Sequence, residues 1–139
     1  MYTIEEFDMQ KTKVFKYIMF KKRTENEIRT KFKSQIQEEM LEDIIEYLKE
    51  AGYINDYNYI ERQVNDYMNL KNMSIQEIKY KLATKGLDRK LIEKYIDNNY
   101  EELKEYEQRC IDKIRSKKAG TMEEQEIEQY LYRKGYKRD

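Results

Sequence analysis

Histidine and proline are absent from the 139 residues, and the chain has only one cysteine and four glycines. Without histidine there is no His-based catalytic triad, no imidazole acid or base and no histidine ligand for zinc. The lone thiol of Cys110 forms neither an internal disulfide nor a two-cysteine metal site, and it fits a reducing compartment. These absences exclude most hydrolytic and zinc-dependent chemistry, so we expect no catalytic residue, no metal and no cofactor.

The glycines lie at least 15 residues apart. A Gly-rich loop that closes on a phosphate is therefore missing, which excludes nucleotide enzymes of the Walker or Rossmann type. Uncharged stretches are also short, since no more than five residues separate one charged side chain from the next. Because this pattern contains neither a membrane span nor a signal-peptide core, we expect a cytoplasmic protein.

Charged side chains of both signs are unusually frequent in the chain. Its 28 basic and 28 acidic side chains make up 40% of the residues, against roughly 25% in an average domain. The net charge of zero conceals a segment 11–33 with a net charge of +7 and a segment 34–66 with a net charge of −7. Either the basic segment contacts phosphates or an acidic protein face, or the two segments share one module and neutralise each other.

Apolar residues recur at a spacing of three and four, which together with the lack of proline predicts helices almost throughout. Three Ser/Thr-x-x-Glu patterns predict capping boxes at helix starts. These are Thr24 with Glu27, Ser74 with Glu77, and Thr121 with Glu124. The longest helices are expected near residues 9–22, 56–71 and 100–118.

Glycine predicts where three of these helices end. Gly52, Gly86 and Gly135 each follow a periodic segment, and a glycine there takes the left-handed conformation of a C-terminal cap. After Gly52 we expect a tight turn through Tyr53, with Asp56 capping the next helix.

The chain also repeats itself. Residues 24–32 match residues 74–82 at an offset of 50, and residues 126–136 match 77–87 at an offset of 49. The expected fold is therefore all-α, with tandem three-helix repeats in an elongated, curved array. Its expected parts are an N-terminal segment 1–8, repeat 1 over 9–55, repeat 2 over 56–99, and a partial repeat 3 of two helices over 100–139.

Two motifs resemble those of a known family. Gly52–Asp56 reads Gly-Tyr-Ile-Asn-Asp, and one helix later Glu77–Leu87 reads Glu-Ile-Lys-Tyr-Lys-Leu-Ala-Thr-Lys-Gly-Leu. Together with the triplicated module, they resemble the RecX family of bacterial recombinase regulators over about residues 14–139.

The resemblance implies a protein that is not an enzyme and that binds the RecA filament on single-stranded DNA. It implies inhibition of filament growth, of ATP hydrolysis, and of the recombination and SOS co-protease activities. We expect a monomer that does not bind membranes, and weak direct DNA binding is compatible with this role. The alternative is a DNA-binding protein of helix-turn-helix type, although the acidic residues of its second helix oppose phosphates.

Cations at equivalent repeat positions predict a basic track, because equivalent positions in stacked repeats face the same way. These cations are Lys81, Lys85, Arg89, Lys134 and Arg138. A second expected group for partner or DNA binding lies in the basic segment, at Lys21, Lys22 and Arg23. The alternative for lysines near a helix C-terminus is local, since they also stabilise the last carbonyls and the helix dipole.

The third repeat has few residues after Gly135 with which to cover Ile127 and Leu131. We therefore expect this part to be the least stable, and either frayed or packed back on the second module or on a neighbouring molecule.

Overall fold

Eight α-helices make up the chain in the computed structural model, which describes residues 1–70 and 72–136. They are α1 (Ile4–Phe20), α2 (Glu25–Phe32), α3 (Glu38–Glu50), α4 (Asp56–Leu70), α5 (Ile75–Thr84), α6 (Arg89–Asn98), α7 (Tyr100–Lys118) and α8 (Glu124–Arg133). No strand occurs among these described residues. The all-α prediction is therefore confirmed.

Two of the three predicted capping boxes start the expected helices. The Thr24 hydroxyl accepts the Glu27 backbone N–H at 3.0 Å, while the Glu27 carboxylate accepts the Thr24 N–H at 3.2 Å. Ser74 and Glu77 repeat this exchange at 3.1 and 3.2 Å. Each exchange satisfies two N–H groups that a helix start otherwise leaves without partners.

The third capping box, predicted at Thr121 and Glu124, was wrong by two residues. The helix begins after Glu123, whose N–H donates to the Glu126 carboxylate at 3.2 Å. The Thr121 hydroxyl instead donates to the carbonyl oxygen of Lys118 at 3.4 Å. An offset of 49 from Ser74 and Glu77 leads to Glu123 and Glu126, so the repeat register locates the cap better than the local pattern.

Helix α1 begins at Ile4, earlier than the expected start near residue 9. The Thr3 hydroxyl caps it by accepting the Glu6 N–H at 3.1 Å. Thr3-x-x-Glu6 has the same spacing as the other capping boxes, so the sequence contains the signal. Residues 4–8, expected in a separate N-terminal segment, form the first turns of this helix.

The three predicted glycine caps have positive φ angles, 84° at Gly52, 82° at Gly86 and 91° at Gly135. At Gly52, the glycine N–H donates to the Lys49 carbonyl at 3.0 Å and the Tyr53 N–H donates to the Leu48 carbonyl at 2.9 Å. This pair of bonds is a Schellman motif, which satisfies the last carbonyls of α3 and favours glycine at the left-handed position.

Contacts divide the chain into two units, each with its own core. Unit 1 comprises Met1–Tyr59 with Lys85–Leu87, and in it α1 and α2 both pack on α3. Its core is formed by Val14, Ile18, Ile28, Phe32, Ile36, Met40, Leu41, Ile44, Ile45, Leu48 and Ile54. The apolar stripe predicted on α3 is thus buried.

Unit 2 comprises Ile60–Thr84 and the described residues from Asp88 onward. Helix α6 packs on α5 and α7, and α7 packs on α8. Ile127 and Leu131 are only 2% and 5% exposed. Of the two alternatives for the third repeat, frayed or packed, the structure therefore shows α8 packed, with its apolar side chains buried. Tyr136 is buried with them, and its hydroxyl donates to the carbonyl oxygen of Asn72 at 3.1 Å.

Among the described helices, none combines the length and apolar character needed to cross a membrane. The division into modules 9–55, 56–99 and 100–139 stays a prediction.

Candidate partner-binding surfaces

A small basic cleft lies in unit 2 between the solvent face of α5 and the C-terminal end of α8. Its volume is about 250 Å³, and its lining residues are Gln76, Glu77, Tyr80, Lys81, Arg133, Lys134 and Gly135. Two members of the predicted basic track, Lys81 and Lys134, therefore meet here although 53 residues separate them in sequence.

The local fold fixes both walls of the basic cleft. The Ser74 capping box starts α5, and the same Ser74 hydroxyl donates to the Lys134 carbonyl at 2.7 Å. Gly135 permits this approach, because a Cβ atom at that position would lie 2.8 Å from Ser74 Oγ. The end of α8 is thereby held against the start of α5.

Positive charge dominates the basic cleft. Within the described residues, Lys81, Arg133 and Lys134 have no ion-pair partner. The one lining carboxylate, that of Glu77, accepts a hydrogen bond from the N–H of Ser74 at 3.2 Å. Tyr80 stands beside these cations with 71% of its surface exposed. Such a surface suits an anionic partner that also presents a flat group to the ring.

The second group of predicted residues lies at another depression, in unit 1. This Lys22 pocket has a volume of about 260 Å³ and is lined by Lys22, Arg23, Gly52, Tyr53, Asn55, Asn58 and Tyr59. It unites the basic residues after α1 with the turn at Gly52, two features that the sequence analysis treats separately.

Both cations of the Lys22 pocket are held in place. Lys22 Nζ donates to Asn58 Oδ1 at 2.9 Å. The Arg23 guanidinium lies 4.1 Å from the centre of the Tyr17 ring and 3.7 Å from the Glu27 carboxylate. Arg23 Nε is buried and has no hydrogen-bond partner in the part of the chain that the structure describes. Lys21 is exposed and does not line the pocket.

The prediction that Asp56 caps the next helix was wrong. Asn55 caps it instead, with its Oδ1 accepting the Asn58 N–H at 3.0 Å. Asp56 Oδ1 accepts the Glu25 N–H at 3.1 Å, at the start of α2. Burial raises the pKa of the Asp56 carboxyl above its ordinary value, and this hydrogen bond opposes part of the shift. The aspartate thus joins two helix starts within unit 1.

The remaining predicted residues do not join either surface. Lys85 belongs to unit 1 but does not line the Lys22 pocket, and Arg89 lies on α6 in a shallow depression with Lys90 and Lys94. Arg138 lies outside the described residues. Sequence analysis missed Tyr80 and Arg133, although each is the immediate neighbour of a predicted cation.

The oppositely charged segments 11–33 and 34–66 are only partly paired. Among the described residues, the ion pairs that join them are Arg29 with Glu42 at 2.7 Å and Lys49 with Glu25 at 3.4 Å. The hydrogen bond from Arg29 lowers the pKa of the Glu42 carboxyl below its ordinary value. Most of the basic side chains thus remain available to a partner.

The arrangement can bind anionic groups, and it offers no cluster for metal chemistry. Among residues 1–70 and 72–136, no three acidic or cysteine side chains come together as a metal site. Cys110, the sole thiol, is buried in the core of unit 2.

Known proteins similar to this chain are regulatory proteins. A protein of Finegoldia magna named "Regulatory protein RecX" is 38% identical over 94 residues, which are 67% of this chain and 44% of that protein. Proteins of the same name from Caldanaerobacter subterraneus and Staphylococcus epidermidis are 31% and 29% identical, over 91% and 99% of this chain. Those matches cover 64% and 54% of the two proteins. The chain spans about half the length of the curated relatives it matches.

Two solved structures that resemble this chain are also RecX proteins. The crystal structure of RecX from Lactobacillus salivarius superposes with a TM-score of 0.79 and 25% identity, covering 97% of this chain and 91% of that one. A second crystal structure, of a regulatory protein RecX, has a TM-score of 0.72 at 24% identity and supports the fold alone. A comparison with models of protein families gives no match.

Proposed function

Since the chain belongs to the RecX family of regulatory proteins, we propose that it regulates a RecA recombinase by binding the recombinase filament on single-stranded DNA. Binding would inhibit filament growth, ATP hydrolysis, and the recombination and SOS co-protease activities. The protein would act as a cytoplasmic monomer, without a chemical step of its own.

The observation that carries this proposal is the convergence of Lys81, Arg133 and Lys134 in one cleft without ion-pair partners among the described residues. A regulator that acts by contact needs an accessible surface whose charge complements its target. Both the phosphates of a filament and the acidic face of a recombinase meet that requirement. Lys85, Arg89, Arg138 and the segment Lys21–Arg23 are proposed as further partner contacts.

Steady-state ATP hydrolysis by the cognate recombinase on single-stranded DNA tests the proposal. The parent protein should lower the rate at sub-stoichiometric to stoichiometric ratios. The double variant Lys81→Glu/Lys134→Glu should inhibit at least tenfold less strongly, because several like-charge contacts replace attractive ones. A parallel variant, Lys81→Glu/Lys85→Glu/Arg89→Glu, tests the predicted track.

The control variant is Arg109→Glu/Lys113→Glu, which changes the net charge equally at two exposed positions of α7 in the same unit. It should inhibit like the parent. Equal inhibition by the cleft variant and the parent would remove the basic cleft from the interface. A parent protein without any effect on the recombinase would refute the proposed function itself.

Binding to bare DNA distinguishes a recombinase regulator from the alternative, a DNA-binding protein of helix-turn-helix type. That alternative needs α3 near phosphates, yet the exposed face of α3 is acidic, with Glu38, Glu39, Glu42, Asp43 and Glu46. Tight, salt-sensitive binding to duplex DNA without recombinase would favour it.

A further inference from the structure

The side chains that line the Lys22 pocket are rich in hydrogen-bond donors. Asn58 uses its side-chain oxygen for Lys22, and Asn55 uses its own for the Asn58 N–H, while the NH₂ groups of both amides have no hydrogen-bond partner among residues 1–70 and 72–136. Lys22 has three N–H donors, of which one is engaged by Asn58. No carboxylate is among the described residues that line the pocket. This composition selects for a ligand with several acceptor oxygens and negative charge.

An aromatic ring stands next to these donors. Tyr53 is 53% exposed, and its ring packs edge-to-face on Phe15 with the centroids 4.9 Å apart. That contact fixes the ring while leaving part of it open to a ligand. Gly52 leaves space beside it, because a Cβ atom there would have no neighbour within 4 Å.

We infer that the Lys22 pocket binds the phosphate group of a nucleotide, with the base against the Tyr53 ring. A phosphate has enough oxygens to engage the lysine and both amides at once, whereas a carboxylate has two. Aromatic rings stack on bases with little regard to base identity. The ligand is either a free nucleotide or a nucleotide of a nucleic-acid strand. This site is distinct from the basic cleft, and nucleotide binding to it is measured without the recombinase.

Amide chemical shifts of the full-length protein, recorded during titration, test the inference. The probes are adenosine monophosphate, inorganic phosphate, adenosine, and oligothymidine with either a 5′-phosphate or a 5′-hydroxyl. Adenosine monophosphate or an oligonucleotide should give saturable shifts at Gly52, Asn55 and Asn58. Inorganic phosphate should bind more weakly at the same amides, and adenosine should give no shift there.

The probes also identify the source of the phosphate. Binding of adenosine monophosphate alone indicates a free nucleotide, and binding only of the 5′-phosphorylated strand indicates a strand end. Equal binding of both strands indicates an internal phosphodiester. Each of these results supports the inference.

Matched variants locate the site. Lys22→Ala and Tyr53→Ala should each raise the dissociation constant about tenfold. Lys33→Ala, an exposed lysine outside the pocket, and Tyr47→Ala, a tyrosine of similar 49% exposure on α3, should leave it unchanged.

The inference is overturned if no phosphate-bearing probe gives a saturable shift at these amides. It is also overturned if the shifts spread over all exposed lysines and survive both variants. An acidic peptide that binds at these amides where phosphates do not would assign the pocket to a protein ligand instead. ATP hydrolysis by the recombinase, measured with the same variants, reports separately on the proposed function.

Discussion

A Cβ atom placed on Gly86 would lie 2.2 Å from Nδ2 of Asn26, so the turn after α5 touches the first turn of α2 within unit 1. The same relationship recurs in unit 2, where a Cβ on Gly135 would lie 3.1 Å from Cβ of Gln76. Asn26 and Gln76 are related by the repeat offset of 50, and Gly86 and Gly135 by 49. The contact between a capping glycine and the first turn of an earlier helix thus recurs at the positions that the repeat offsets predict.

Gly86→Ala should therefore destabilise the protein more than Gly52→Ala. Both glycines have positive φ, which costs an alanine about 1–2 kcal/mol, but only Gly86 also meets a neighbouring side chain. The clash should add about 1 kcal/mol, since the Asn26 side chain has to move. Urea denaturation of both variants measures the difference.

The variant Asn26→Ala supplies the control for this comparison. Introduced together with Gly86→Ala, it should recover the added cost but not the cost of the positive φ. Equal losses of unfolding free energy in Gly52→Ala and Gly86→Ala would show that the approach of Gly86 to Asn26 carries no energetic weight.

Tyr106 forms the central polar contact of unit 2. Its buried hydroxyl accepts the Met73 N–H at 2.9 Å and donates to the Met73 carbonyl at 2.7 Å. Tyr106→Phe should therefore lower the free energy of unfolding by about 2–3 kcal/mol, because two buried backbone groups lose their partner. Tyr100→Phe, at a 45% exposed position of the same helix, should change it by less than about 0.5 kcal/mol. A similar loss in both variants would contradict this role.

The local sequence pattern predicts the helices and most of their caps, but it places the start of α8 two residues too early. The spacing of apolar residues depends on helix geometry alone, which is why the buried stripe of α3 is predictable. Glu123 is a poor cap by type, so the local pattern favours Thr121 instead. Only the comparison between repeats corrects that choice.

Asp56 provides a pH test, because burial raises its pKa in the folded state. The folded protein then holds this proton more tightly than the unfolded chain does. The contribution of Asp56 to the free energy of unfolding therefore falls as the pH rises from the ordinary aspartate pKa through the raised pKa of the folded state. Above the raised pKa this contribution no longer changes with pH. Asp56→Asn keeps an oxygen for the Glu25 N–H but does not titrate, so it should gain stability relative to the parent over this window.

The measurement is the difference in unfolding free energy between parent and Asp56→Asn, taken at several pH values from about 3 to 7. Other acidic groups are common to both proteins and cancel in the difference. A difference that moves in favour of aspartate as the pH rises would mean that the hydrogen bond from Glu25 outweighs burial.

The candidate surfaces illustrate what a sequence leaves open. Lys22 stands out as a cation, but its partner Asn58 lies 36 residues away and carries no charge. The offset of 49 makes Lys134 the equivalent of Lys85, yet Lys134 shares its cleft with Lys81 instead, and the contribution of Arg133 depends on where α8 ends. Contacts between side chains so far apart in sequence depend on tertiary packing, which a local sequence pattern does not specify.

Tyr136 is buried directly after α8, where its hydroxyl donates to the Asn72 carbonyl, and we expect it to stabilise this helix. Its N–H also donates to the Leu131 carbonyl at 3.0 Å, beside the cap at Gly135. Tyr136→Ala should accelerate amide hydrogen exchange across Glu124–Arg133, with a loss of about 3–5 kcal/mol in opening free energy if the site does not collapse. Tyr136→Phe isolates the hydrogen bond and should cost about 1 kcal/mol.

Two comparisons make the result on Tyr136 decisive. Tyr132→Ala removes an 80% exposed ring from the same helix and should leave the exchange rates of α8 nearly unchanged. Amides of α3, in unit 1, should exchange alike in all variants, because its core contains no residue of α8. Unchanged protection of α8 in Tyr136→Ala would show that α7 alone holds this helix, and that the bond to Asn72 only fastens the chain after Gly135.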